Sequence, residues 1–285
     1  MKSLKGRKRC FLFDQQLHPA QLLILIILAF CAVYPFFMIL ITSFKTRGDY
    51  LTAPLGFPKP WTFENYVNVY ETADIFRALL NSVILTAGSI AGQLIFGSMA
   101  AYAIAKTRLK RKKTVTAAFL LPLFLPIQTV IIPLYVFYTR LNLNNSLFGL
   151  MLIYIAGGLP LVILSLSSFM NTIPNEISEA AFIDGLSHFQ TYYWIILPLL
   201  RPAVAAVVIL SGLSIWNDFY LPLLMLTDVD QATLPVKIYL FTGEYSNQWP
   251  KICVCIVFLV IPILTAYFFF QKQIISGIAA GAVKG

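Results

Sequence analysis

The chain has 285 residues, of which 59% are hydrophobic and 12% charged, with a formal net charge of +9. A soluble domain carries about 25% charged residues, so an apolar excess arriving in long blocks excludes an ordinary soluble protein and marks a polytopic membrane protein. The basic excess is not a nucleic-acid footprint, because its two dense runs, within residues 2–9 and 106–113, each lie close to an apolar stretch, where the positive-inside rule wants them.

In chain order, residues 1–20 form a basic tail without the small-residue cleavage site of a signal peptide. Six segments are then long and apolar enough to cross about 30 Å of hydrocarbon: 21–41, 79–103, 115–138, 147–170, 203–226 and 252–270. The fold expected is all-α, with six transmembrane helices in one permeating domain over 21–271 and a short tail over 272–285. Both termini then share a side. Placing them in the cytoplasm puts 14 of the 21 basic residues inside and 7 outside, and the inverted topology reverses that ratio.

Proline punctuates these spans at Pro35, Pro122, Pro126, Pro133, Pro160, Pro222 and Pro262. Broken helices are tolerated at membrane depth only where protein or a water-filled cavity satisfies the freed carbonyls. Three prolines in the third span fit a helix lining a hydrated path, and simple packing kinks fit equally. Outside, residues 45–76 hold Pro54, Pro58, Pro60 and Trp61 and suggest an ordered, extended surface. Residues 227–250 form a second external segment with Asp228, Asp230, Glu244 and Trp249. Trp61 and Trp249 suit the interfacial aromatic belt or contact with an external partner.

The loop over 171–201 is the longest polar segment on the cytoplasmic side. Pro174 suits the first turn of a helix, and Glu176 and Glu179 complement its positive end. Gly185 supplies the left-handed residue that ends a helix, and Ser187 with Gln190 offers a capping box for a second one. A helix this short needs a receptor surface. Ala180 and Ala181 offer a smooth face for a groove, with Glu179 and Asp184 as charges to pair. An amphipathic connector lying on the membrane, anchored by Tyr192, Tyr193 and Trp194, fits the same residues.

Chemistry-bearing clusters are sparse. No G-x4-GK-[ST] run exists to cradle nucleotide phosphates, and His18 and His188 are isolated, so no catalytic residues and no metal site are expected. Four dispersed cysteines make no disulfide framework, and Cys253 and Cys255 suit apolar packing. Asp218 is the one acid inside a predicted span. It could line a solute path with Asn217, pair with another helix, or lie hydrated near the outer interface. A secondary transporter would need internal repeats and buried mid-span ionisable residues, and a membrane enzyme would need clustered catalytic groups. No convincing repeat is found, only Asp218 approaches the second requirement, and the catalytic clusters are missing, so a secondary transporter is the lesser alternative and an enzyme is not expected.

The loop spells Glu179-Ala180-Ala181-x3-Gly185-x9-Ile195-x-Leu197-Pro198, which resembles the EAA signature of binding-protein-dependent ABC importer permeases. Asn81-Ser82, Ala101-Tyr102-Ala103, Ile132-Pro133-Leu134-Tyr135, Trp216-Asn217-Asp218-Phe219 and the terminal Ala280-Gly281-Ala282-Val283-Lys284-Gly285 extend the likeness over nearly the whole chain, toward the second permease subunit of maltose-type carbohydrate importers. The resemblance implies a type I importer permease in a bacterial cytoplasmic membrane, paired with a second homologous permease. It further implies two P-loop ATPases carrying Mg-ATP and an extracytoplasmic solute-binding protein, with no cofactor on this chain. By the same likeness, Glu179, Ala180, Ala181, Asp184 and Gly185 would seat in the ATPase, and Gly281, Ala282, Val283, Lys284 and Gly285 would reach toward it. The implied cargo is a sugar, an oligosaccharide above all. A sister solute such as a glycerophosphodiester is the alternative.

Overall fold

The computed structural model describes residues 18–107, 109–239, 241–242 and 247–282. These residues form helices and connecting turns, with no strand among them. The helices are α1 (Pro19–Ser43), α2 (Arg47–Thr52), α3 (Glu64–Ala73), α4 (Ile75–Lys106), α5 (Lys112–Leu120), α6 (Ile127–Arg140), α7 (Leu147–Met170), α8 (Asn175–Ile183), α9 (His188–Leu199), α10 (Arg201–Trp216), α11 (Tyr220–Met225), α12 (Leu234–Tyr239) and α13 (Trp249–Ala282).

Four helices, α1, α4, α7 and α13, are each long and apolar enough to span a bilayer, and the bent pairs α5–α6 and α9–α10 bring the number to six when each is counted as one span. α5 with its 3-10 extension meets α6 at 99°, breaking the expected third span at Leu125–Pro126. Pro126 lacks an N–H and restricts the residue before it, so the helix stops there. Pro133 lies inside α6, and Pro35, Pro160 and Pro262 likewise lie inside continuing helices. The fifth span is interrupted, as its proline suggests, but before Pro222 and not at it: α10 stops at Trp216, and α11 restarts at Tyr220 with Pro222 inside it. The sixth helix continues unbroken past residue 271 to Ala282.

α1 is apolar nearly all round, yet only Ile41, Thr42 and Ser43 are buried. The rest of its surface faces outward. The segment after it is more helical than the extended surface expected, comprising α2 and α3 with turns between. Lys45, fully buried, locks that segment by donating to the carbonyls of Ala53 and Pro54, each at 2.8 Å. Asn65 donates from α3 to the carbonyls of Ser43 and Lys45. Trp61 is exposed and touches Phe44, and Trp249 lies against Tyr50. Cys253 and Cys255 are both buried and unpaired.

The centre of the bundle is α4 against α7. Between helices in lipid the driving force is close packing and hydrogen bonding, because lipid tails are as apolar as the side chains. The buried stripe of α4 fits that requirement: Asn81, Leu85, Ser89, Gln93, Gly97, Ala101 and Ile104 recur every three to four residues. Gly88 and Gly92 let Met151 and Ile155 of α7 approach where any β-carbon would collide, and Gly97 does the same for Val162. In return, Gly158 makes room for the Gln93 amide, which donates to the Tyr154 carbonyl at 2.8 Å.

Three buried clusters are built along this pair. Val69, Ala78, Trp216, Leu234 and Val254 form the first. Leu85, Leu150, Tyr154 and Ile215 form the second. Ala101, Tyr102, Val162, Leu166, Met170, Tyr192, Ile196 and Leu200 form the third. The last cluster carries the polar loop.

Candidate functional site: the polar helix–turn–helix

α8 begins after Pro174, which takes the cap position with extended ψ, one residue earlier than its expected first-turn placement. At the other end, Gly185 has φ +86°, and its amide donates to the Phe182 carbonyl while Leu186 donates to that of Ala181. These are the two crossed bonds of a Schellman ending, which satisfy carbonyls left over at the helix end. The chain then re-enters helix at once. Ser187 accepts from the Gln190 amide at 3.3 Å, and the Gln190 side chain accepts from the Ser187 amide at 2.8 Å. The expected capping box is thus formed.

α9 contains a π-helical stretch over Thr191–Ile196 and meets α10 at 75° across Leu200. π-turns accommodate an extra residue in a helix and turn up often at functional sites. This one aims Tyr192 inward, where its hydroxyl is 2.7 Å from that of Ser98 and its ring lies 5.3 Å from Tyr102. Lys106, at the end of α4, donates to the Ile173 carbonyl at 2.6 Å and to the Asn175 side chain at 2.9 Å. The entry to α8 is therefore fastened to α4, and its exit to α9. Phe182 packs edge-on against His188 across the turn.

The five loop residues singled out in the sequence divide between two faces. Glu179, Ala180, Asp184 and Gly185 are exposed, together with Ile183 at 86%. Ala181 is 6% exposed and faces inward beside Ser178, so the smooth outward face expected of both alanines belongs to Ala180 alone. The reason is helical geometry: Ser178 and Ala181 are three apart, one above the other on the supported face. Ion pairs within 4 Å among the described residues do not involve Glu179 or Asp184, which leaves an acidic outer face around an apolar tip.

Asp218 sits in the break between α10 and α11. Its Oδ2 accepts from the Tyr154 hydroxyl at 2.8 Å, and its Oδ1 accepts from the Tyr220 amide at 2.8 Å. Asp218 is thus half-buried and tied to another helix. Asn217 is exposed and donates back to the Leu213 carbonyl in its own helix. Gly281 and Ala282 lie on α13, while Val283, Lys284 and Gly285 fall outside the described residues. Groups of three or more His, Cys, Asp or Glu able to hold a metal do not occur among the described residues.

Sequence reasoning missed Lys106, Ser98 and Gln93. Lys106 was counted only as a topology charge. Ser89, Gln93 and Ser98 at helical spacing with three glycines were a legible signal of a tight interhelical seam.

Residues 93–279 match the family described as binding-protein-dependent transport system inner membrane component. The diacetylchitobiose uptake system permease NgcG of Streptomyces coelicolor is 32% identical over 263 residues, covering 92% of this chain and 87% of that protein. The probable starch degradation products permease AmyC of Thermoanaerobacterium thermosulfurigenes is 34% identical, covering 91% and 94%. A solved bacterial ABC transporter involved in alginate import has a chain of the same fold, with TM-score 0.74 and 22% identity over 89% of this chain and 94% of that one. With its apolar spans and its polar helix–turn–helix, this chain belongs to the binding-protein-dependent transport system inner membrane components, multi-pass permeases of bacterial ABC transporters rather than enzymes.

Proposed function

We propose that this chain is the sugar-conducting permease of an ATP-driven oligosaccharide importer, coupled to a separate ATPase through the outer face of α8. The observation that carries the coupling is the division of α8 into a face fastened to the bundle and an acidic, apolar-tipped face left exposed by the described residues. Glu179, Ala180, Ile183, Asp184 and Gly185 seat in a groove of the ATPase, with basic groups there answering Glu179 and Asp184. Ala181 supports the helix from behind. The oligosaccharide class rests on relatives named for diacetylchitobiose and for starch degradation products.

The assembly takes a second permease of the same fold, two P-loop ATPases that hold Mg-ATP, and an extracytoplasmic protein that delivers sugar. Residues 21–271 form the permeating unit with the coupling loop at 171–201. Residues 1–20 and 272–285 are cytoplasmic, and Gly281 to Gly285 reach the ATPase pair. ATP binding moves the coupling helices and, through Lys106 and Tyr192, the α4–α7 pair with them. Asp218 holds the α10–α11 break in shape beside the path.

Affinity purification of the tagged chain from native membranes in mild detergent tests this reading. Recovery of a second permease and a P-loop ATPase, with uptake of labelled oligosaccharide in vesicles of the same strain, is expected. A chain recovered alone after mild cross-linking contradicts it.

A further inference from the structure

A groove of about 520 Å³ lies between α4, α9 and α10, walled by Leu94, Ile95, Tyr192, Trp194, Leu197 and Val204. Arg201 is the one charged residue lining it. That guanidinium is exposed and makes no hydrogen bond or ion pair among the described residues. Nor does it serve its own helix, since a cation in a first turn opposes the helix dipole.

A second groove, of about 340 Å³, continues along the same seam between α4, α10 and α13. Ile90 and Val208 line it one helical turn beyond Leu94 and Val204. It carries no charged residue, and Trp216 is among the residues lining it. From Arg201 to Leu213 the seam follows about 18 Å of α10 at 1.5 Å per residue. That is close to the depth of one leaflet, half of a hydrocarbon core of about 30 Å.

We infer that this seam binds an anionic phospholipid of the cytoplasmic leaflet, its phosphate on Arg201 and one acyl chain along α4 and α10. Charge complementarity selects the headgroup: an unpaired arginine at the inner boundary faces the leaflet in which anionic lipids attract basic groups. The walls select the tail, because they offer almost nothing to a sugar hydroxyl and continuous apolar surface to a hydrocarbon. α9, bent 75° from α10, lies along the boundary with Tyr193 and Trp194 exposed, as interfacial aromatics do. The lipid would press on Tyr192, the residue that ties α9 to α4.

Trp194 lines the first groove and Trp216 the second, and both serve as native reporters. The permease, purified with its native partner subunits, is placed in phosphatidylcholine nanodiscs containing a minor fraction of brominated phosphatidylglycerol or, in parallel, brominated phosphatidylcholine. Brominated phosphatidylglycerol is expected to quench fluorescence severalfold more than brominated phosphatidylcholine at equal content. Arg201→Gln abolishes that excess, Arg201→Lys keeps most of it, and Trp194→Phe removes the part reported from the groove mouth. Equal quenching by the two lipids in the unaltered protein overturns the inference, as does an excess that survives Arg201→Gln. Trp194 shielded from both lipids overturns it too, and shows the groove covered by the second permease or another copy of this chain.

Discussion

Lys106 on α4 and the Ile173 carbonyl at the entry to α8 are joined by a 2.6 Å charge-assisted hydrogen bond. It fastens the start of α8, the proposed coupling helix, to the central α4–α7 pair. Hydrogen bonds to charged groups contribute about 1.5–3 kcal/mol. Lys106→Met is therefore expected to leave the permease in the membrane while lowering sugar uptake per ATP hydrolysed. Uptake and ATPase assays on the same vesicles check it, and an unchanged ratio counts against the mechanical role.

Gly185→Ala isolates backbone conformation, because a β-carbon there meets nothing within 4 Å while φ is +86°. Left-handed backbone costs an L-residue about 1–2 kcal/mol. Transport is expected to fall severalfold, with Gly185→Asn retaining more because asparagine tolerates this region better. Equal uptake in all three proteins would falsify the requirement for a left-handed turn.

Glycines of the bundle differ in what they protect. At Gly149 an added β-carbon meets the backbone carbonyl of Leu143, whereas at Gly92 it meets the flexible end of Ile155. Backbone cannot step aside at low cost, but a side-chain tip can. Gly149→Ala is expected to lower the melting temperature in detergent clearly more than Gly92→Ala. The reverse order contradicts this packing account.

Tyr154→Phe removes the donor to Asp218 Oδ2 and leaves a carboxylate oxygen without that partner. Leaving a buried or half-buried acceptor unpaired costs about 1–3 kcal/mol. The expected outcome is a melting temperature lowered by several degrees, with correct membrane insertion. If instead stability is unchanged and only sugar affinity falls, Asp218 belongs to the solute path and not to the helix break.

Much of this architecture was legible in the sequence because its signals are local. Apolar length marked the spans, Gly185 marked the helix end, and Ser187 with Gln190 marked the restart. What escaped depends on direction around a helix. Ala180 and Ala181 are chemically identical, and only the packing of α8 on its supports shows that one faces out and the other in. The break at Asn217–Phe219 escaped for a similar reason: Pro222 drew attention to a kink in the fifth span, but Asp218 fixes the interruption earlier through Tyr154 and the Tyr220 amide. The role of Lys106 was hidden inside a basic run that topology alone explained.

The most direct test of the coupling claim uses that division of faces. Single cysteines at Ala180, Ala181 and Asp184, in a chain with its native cysteines replaced, would carry a short photo-activated cross-linker in the assembled complex. Cross-links to the ATPase from positions 180 and 184, with little or none from the inward position 181, are the predicted result. An ATPase that cross-links to none of them, or only to 181, would show that α8 is not the surface through which force enters this permease.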